Sequence, residues 1–306
     1  RLKYFNKFPL GINYYLFSFF SVICGINLKT DLFITRNFFT LFLLILFNQK
    51  TIIEIHHDLS TESRIVKFLF KNFNILNKEK VVKVVAITKS VKDYLIKNLK
   101  VNSKKIEIIP SASSLKFKFK KFPNKNRYNI GYFGSLDESK GSRFIAKMSS
   151  LDKNNNYFIF GGTKKDLQNF RIKNDCRNIN LNKSVPYGKI KSYLSKMDIL
   201  LMPSNKKLLR SLGGVGNIAK YTSPLKLFDY MSSGKLIFLS NLKVFKEVVK
   251  HNIDCIMLDN LNVINWVDKI NKIKKNITKV NYIKKNAYLK SKKYTYLNRA
   301  KKILNF

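Results

Sequence analysis

Cysteine is nearly absent from this chain. Cys24, Cys176 and Cys255 are odd in number and far apart. That excludes a disulfide framework and a cysteine-built metal cluster, and it points to a reducing cytosol. Long apolar runs are lacking too. Phe38 to Phe47 is too short to span a bilayer, and Leu10 to Ile26 is broken by Asn13, Ser18 and Gly25, so both are expected as buried or interfacial helices. No secretory signal is visible, and 12 Gly and 6 Pro are too few for a low-complexity chain. Acidic side chains are scarcest relative to their counterparts: 18 Asp and Glu face 59 Lys and Arg, a formal charge of +41. Such a surface attracts polyanions, either nucleic acid or an anionic membrane. The charge is spread along the chain instead of gathered in one arm, and no nucleic-acid reader motif is present. A membrane is therefore the favoured polyanion, beside plain compositional drift in a chain rich in Lys, Asn and Ile.

What is present is an alternation of strand-like and helix-like segments, in a chain of 306 residues with an apolar share of 45%. That length holds two α/β domains, each with its own core. Strands are expected at Asp31–Thr35, Thr51–Ile55, Val81–Ile87 and Ile106–Ile109, separated by helices at Phe38–Phe47, Ser63–Asn72 and Ser90–Leu99. Lys116 to Arg127 is basic, is broken by Pro123 and reads as an interdomain linker. A second series follows: strands at Tyr128–Phe133, Tyr157–Phe160, Asp198–Met202 and Cys255–Leu258, with helices from Ser142, at Tyr187–Lys196, at Phe245–Lys250 and at Asn262–Ile273. A loop holding Gly213, Gly214 and Gly216 lies between the Asp198–Met202 strand and the next helix. Strands alternating with helices imply parallel sheets with ligands at the strand C-termini. The expected domains are 1–122, 123–279 and a basic helical tail at 280–306. The chain opens on Arg1, so a preceding βα unit is expected.

Tyr221-Thr-Ser-Pro-Leu-Lys-Leu-Phe-Asp-Tyr-Met-Ser-Ser-Gly234, followed by Lys235-Leu-Ile-Phe-Leu-Ser240, reads as loop, short helix, turn and buried strand. Ser223 suits a helix N-cap, Pro224 the first helical position and Gly234 the helix end. A helix start favours bound phosphate through its unpaired N–H groups and partial positive charge. Lys226 adds a cation in the first turn, and Asp229, on roughly the same face, can accept bonds from hydroxyls. A phosphate at the cap and a diol at the acid describe a nucleoside diphosphate. Gly134-Ser-Leu-Asp-Glu-Ser-Lys140-Gly141 also joins a strand to a helix. There Gly134 is expected to permit a tight turn and Lys140 to reach a phosphate over the helix start. This loop is neither a Walker loop nor the dinucleotide fingerprint.

Together these segments resemble family 4 glycosyltransferases, the retaining enzymes of GT-B architecture that use nucleotide-sugar donors. The second half carries the likeness in Gly134 to Gly141, Asp198-Ile-Leu-Leu-Met-Pro203, Thr222 to Lys235 and Ser240 to Val249. The first half is similar at Glu54-Ile-His56, Val85-Ala-Ile-Thr-Lys-Ser90 and Lys105 to Pro110. The Ser-Pro-Leu-Lys form of the motif marks a subgroup. The resemblance implies an α/β fold of two Rossmann-like, doubly wound domains facing across a cleft. It implies that Asp229 holds the donor ribose and that Lys140 binds the diphosphate. Gly134, Ser135, Tyr221, Ser223, Pro224, Leu225 and Lys226 complete the donor site, and His56 lies near the donor sugar. Tyr221 stands where the family has a glutamate, Ser135 where it often has an arginine, Ala112 and Cys255 where glycines are common. Lys226 or Arg143 is expected to compensate at Ser135.

Cleaving a sugar–phosphate bond builds charge on the departing diphosphate, and a metal-free site must meet it with lysines and helix N–H groups. No Asp-x-Asp motif is present, so neither metal nor cofactor is expected. His57 and Asp58 either orient His56 or are loop residues, and Glu247 reads as structural. Tyr14, Tyr15, Phe17, Phe19 and Phe20 either form the first domain's core or seat a monotopic enzyme on a membrane. The expected function is transfer of a hexose-type sugar, with retention, to a bacterial surface glycan or lipid-linked acceptor. Such an enzyme would be cytosolic and held at the inner face of the plasma membrane. A catalytically degenerate module that docks on membranes or partners is the alternative, and nucleic-acid binding a distant third.

Overall fold

The structure, a computed structural model, describes residues 10–210, 217–259 and 261–305. The glycine loop around Gly213, Gly214 and Gly216 lies outside them. The chain forms two compact units, Arg1–Pro110 with Ala300–Phe306, and Ser111–Arg299.

Unit 1 begins with α1 (Leu10–Asn27) and then alternates: β1 (Phe33–Thr35), α2 (Phe38–Leu46), β2 (Thr51–Ile55), α3 (Arg64–Asn72), β3 (Val81–Ala86), α4 (Lys89–Leu99) and β4 (Ile106–Ile108). Its strands pair in parallel in the order β1-β2-β3-β4. Every residue of β2 is buried, as expected for a parallel strand covered on both faces. The helix starts follow capping chemistry: Asn37, Ser63 and Thr88 each accept a bond from a first-turn N–H with the side chain.

Unit 2 holds β5 (Asn129–Phe133), α5 (Ser142–Leu151), β6 (Asn156–Phe160), α6 (Lys164–Lys173), β7 (Ile179–Asn182), α7 (Tyr187–Ser195) and β8 (Ile199–Met202). After these come α8 (Leu225–Ser233), β9 (Leu236–Ser240), α9 (Lys243–Lys246), β10 (Ile256–Leu258), α10 (Val263–Ile273) and α11 (Ile277–Ser291). Six parallel strands lie in the order β10-β9-β8-β5-β6-β7, so the winding reverses between β5 and β8. In such sheets the strand C-termini at the reversal form the ligand-binding edge. One core cluster, on Tyr157, Phe238 and Trp266, and another, on Phe228, Tyr230 and Phe245, bury the unit's largest side chains.

Two expectations about organisation differ from what is observed. Residues 116–127 are not a free linker, and the division falls after Pro110, not after residue 122. Leu115, Phe117 and Phe119 alternate with lysines, a period of two that puts these three on one edge, and Phe122 follows after a pair of lysines. Phe122 enters the core of unit 2, Leu115 and Phe117 pack on its second cluster, and Phe119 contacts the Tyr288 ring. The basic tail is also not separate. α11 buries Val280, Ile283, Lys284 and Ala287 within unit 2. In a last helix, α12 (Tyr296–Leu304), Ile303 belongs to unit 1, clustered with Ile52, Val85 and Ile109.

Candidate donor site at the start of α8

The α8 helix ends as its sequence says, on Gly234 with φ of 62°, a left-handed position that suits glycine. Its start differs from expectation. Pro224, not Ser223, occupies the N-cap position, and no side chain caps the helix. The Ser223 hydroxyl is engaged elsewhere: it accepts the Ser111 N–H at 3.0 Å, while the Ser111 hydroxyl donates to the Ser223 carbonyl at 2.7 Å. The helix register therefore moves one residue along, making Leu225 and Lys226 its first two residues. An uncapped start leaves first-turn N–H groups for another acceptor.

Gly134, just after β5, lies beside the Lys226 ammonium. A Cβ there would lie 2.6 Å from Lys226 Nζ and 2.9 Å from the Tyr132 hydroxyl. A side chain at this position would displace the Lys226 ammonium. The left-handed residue in this loop is Gly141, at φ of 80°. Lys226 Nζ sits 4.5 Å from the centre of the Tyr132 ring, and the Tyr132 hydroxyl donates to the Ser135 carbonyl at 2.9 Å. The Lys226 side chain as a whole is partly exposed, but its ammonium end is enclosed by protein. Loss of solvation, followed by the charge of nearby Lys140, pushes its pKa down to about 7.

Lys140 closes a short 3₁₀ turn (Glu138–Lys140) just before α5, whose N-cap Gly141 has no side chain to offer. Its charge acts on both Lys226 and Asp137. Arg143, the other candidate to compensate for Ser135, is exposed and lies 3.6 Å from Glu138. The Ser135 hydroxyl oxygen is buried and has no hydrogen-bond partner among the described residues.

Asp229 lies one turn further along α8 and is buried at 5% exposure. Its Oδ1 accepts the Ser113 hydroxyl at 2.5 Å and the Tyr187 hydroxyl at 3.1 Å. Burial raises its pKa, and the two hydroxyl bonds oppose that shift. Neither Ser113 nor Tyr187 is evident from sequence spacing, because they sit 116 and 42 residues from Asp229. Tyr221 is half-buried on the approach to α8, where its N–H bonds the Ile218 carbonyl.

His56 belongs to unit 1, immediately after β2. Its Nε2 meets the buried Glu54 carboxylate, which also holds Arg36 at 2.8 Å. Glu54 and Arg36 therefore orient the ring. His57 and Asp58 do not: His57 Nδ1 donates to the Asp58 carbonyl, and the Asp58 carboxylate caps the next turn at Ser60. Among the described residues no group of three or more His, Cys, Asp or Glu is placed to hold a metal ion.

Two lysines, an uncapped helix start and a buried carboxylate thus converge at the reversal point of a parallel sheet, an arrangement suited to a diphosphate joined to a diol. No curated protein sequence matches the chain. Among solved structures, HepE from Anabaena in complex with UDP-glucose is 13% identical with a TM-score of 0.69, covering 94% of this chain and 80% of that one. Sucrose-phosphate synthase from Thermosynechococcus elongatus is 13% identical with a TM-score of 0.73, covering 99% and 79%. A glycosyltransferase from Rickettsia africae is 15% identical with a TM-score of 0.69, covering 99% and 82%. These likenesses identify the fold as GT-B, with two Rossmann-like units. The profile described as "Glycosyl transferases group 1" matches residues 113–290, more than half of the chain and nearly all of the unit that carries Lys140, Lys226 and Asp229. The chain belongs to the group 1 glycosyl transferases.

Proposed function

We propose that this glycosyltransferase moves a hexose-type sugar from a nucleoside diphosphate donor to a bacterial cell-surface glycan or lipid-linked acceptor, with retention at the anomeric carbon. The observation that carries the donor assignment is that α8 starts without a side-chain cap and carries in its first turn Lys226, whose ammonium lies beside Gly134. In this reading the diphosphate lies over that start, with Lys226 and Lys140 taking up the charge that grows on the leaving group. Gly134 leaves room for the Lys226 ammonium, and Ser135, Tyr221, Ser223, Pro224 and Leu225 line the approach of the diphosphate. Asp229 holds the ribose hydroxyls through Oδ2, since Oδ1 already accepts two bonds. His56, steadied by Glu54, serves the donor sugar or the acceptor. The reaction needs no metal, and turnover persists in the presence of chelator. The enzyme works in the cytoplasm beside the inner face of the plasma membrane.

Calorimetry with uridine and guanosine diphosphates tests the site. Asp229→Ala and Lys140→Ala are each expected to weaken binding at least tenfold, and unchanged affinity in both would exclude it. A chain that binds the nucleotide but never hydrolyses or transfers the sugar would instead be the non-catalytic module.

A further inference from the structure

Two helices of unit 1 carry apolar faces that packing among the described residues leaves open. Over its 18 residues α1 has no charged side chain. Ser18 and Val22 face inward, whereas Ile12, Phe17, Phe19 and Phe20 are between 40% and 53% exposed. Among the described residues no helix is long and apolar enough to cross a membrane, so α1 is not a span.

The α3 helix divides into three faces at 100° per residue. Val66 and Phe70 are buried. Ile65 and Phe68 point outward at 56% and 59% exposure, and Phe68 meets the exposed Phe73 ring edge-on at 5.9 Å. The third face holds Arg64, Lys67 and Lys71, beside Phe68. The Tyr15 hydroxyl donates to Ser63, the N-cap of α3, at 2.8 Å, so the two helices are neighbours.

We propose that α1 and α3 together form a docking face for an anionic lipid bilayer. Aromatic side chains beside a basic row match the two layers of such a surface: rings enter the boundary of the acyl chains while Arg64, Lys67 and Lys71 meet lipid phosphates. The charge of the whole chain, +41, adds attraction of the same sign. The proposal rests on the reading of the enzyme as one that meets its acceptor at a membrane, and it names the face that makes the contact.

Vesicle co-sedimentation of the full chain tests it, using phosphatidylcholine alone and phosphatidylcholine mixed with phosphatidylglycerol. The chain is expected to bind the anionic vesicles at least tenfold more tightly, and less so as salt is raised. Each Lys or Arg near such a surface contributes about fivefold, so Arg64→Glu, Lys67→Glu and Lys71→Glu together cost at least about 100-fold. Ile65→Asp with Phe68→Asp, and separately Phe19→Asp, lower binding while leaving the salt dependence in place. All these side chains are on the surface or partly so, and melting curves that match the parent show the variants folded. Anionic vesicles bound equally by parent and variants, or not bound at all, would overturn the proposal. So would a dimer in sedimentation velocity that Phe68→Asp dissolves, because a second copy would then own the face. Vesicle binding is read without turnover or nucleotide. A chain that docks but ignores uridine diphosphate refutes the donor site alone, and one that binds nucleotide but not vesicles refutes only this face.

Discussion

Raising the pH from 7 to 9 should weaken nucleoside diphosphate binding about fiftyfold, because Lys226 must gain a proton to meet the phosphates. Burial of its ammonium, followed by repulsion from Lys140, lowers the pKa of the free protein to about 7. At pH 8 about nine in ten Lys226 side chains are then neutral. A diphosphate over the start of α8 supplies the missing opposite charge and returns the group toward its ordinary value of 10.5. The complex therefore holds a proton that the free protein lacks, at a cost of about 1.4 kcal/mol for each unit above 7. Calorimetry with uridine diphosphate at pH 8, in two buffers of different ionisation heat, should record uptake of about 0.9 proton. The ligand's own phosphate, with a pKa near 6, is already ionised there. Lys226→Met should bind weakly at every pH, with no uptake and a flat profile. Zero uptake in the parent, or the same slope in the methionine variant, would refute the reasoning. The sign for stability is opposite. The unfolded chain binds the Lys226 proton up to pH 10.5 and the native chain only up to about 7, so this group's penalty on the ligand-free fold is full below pH 7. The penalty fades as the pH climbs toward 10.5.

Gly141→Ala should destabilise unit 2 by more than about 2 kcal/mol. Its φ of 80° disfavours a side chain, and the new Cβ would lie 1.9 Å from the Pro203 carbonyl oxygen. An unchanged melting temperature would contradict this. Ser113→Ala removes one of the two hydroxyl bonds to Asp229, and the affinity for uridine diphosphate should fall roughly threefold to tenfold. Inorganic pyrophosphate, which has no ribose, should bind that variant as it binds the parent. Glu54→Gln takes the charge from the partner of His56; kcat should drop about tenfold with little change in the donor KM, whereas a purely structural Glu54 would shift the melting temperature and leave kcat alone.

Where local chemistry decides an element, the sequence announces it. The buried strands β8 and β9 follow from continuous apolar runs, and Gly234 closes α8 through a conformation that few other residues adopt. Local sequence is a poorer guide where a partner distant in the chain decides. Ser223 has N-cap chemistry, but the Ser111 N–H claims its hydroxyl first. The segment 115–122 is rich in lysine, and its alternation lasts only from Leu115 to Phe119, too short to stand out from a linker. Helix α6 and strand β7 lie outside the expected elements, although Thr163 and Asp166 form a reciprocal capping box. Strand β7 lies at the sheet edge and is only partly buried. At the site, Lys226 and Asp229 stand out by spacing on one helix, while Ser113 and Tyr187 reach Asp229 only through the fold.

These distant bonds share an origin. Ser111, Ser113 and Ser114 follow Pro110 within four residues, and all three bond to the candidate donor site: Ser111 to Ser223, Ser113 to Asp229 and Ser114 to the Tyr187 hydroxyl at 3.2 Å. The Ser113 N–H also bonds the Tyr294 carbonyl beyond α11 at 3.0 Å. This short segment therefore uncaps α8 by engaging Ser223, fills one oxygen of Asp229, and holds Tyr187 through its hydroxyl. None of the three serines needs to touch a nucleotide to matter. Each fixes a group that would otherwise lose rotamer freedom on binding, and fixing it beforehand moves that cost from binding into folding. Their replacement should thus appear chiefly as lost nucleotide affinity in a chain that still folds.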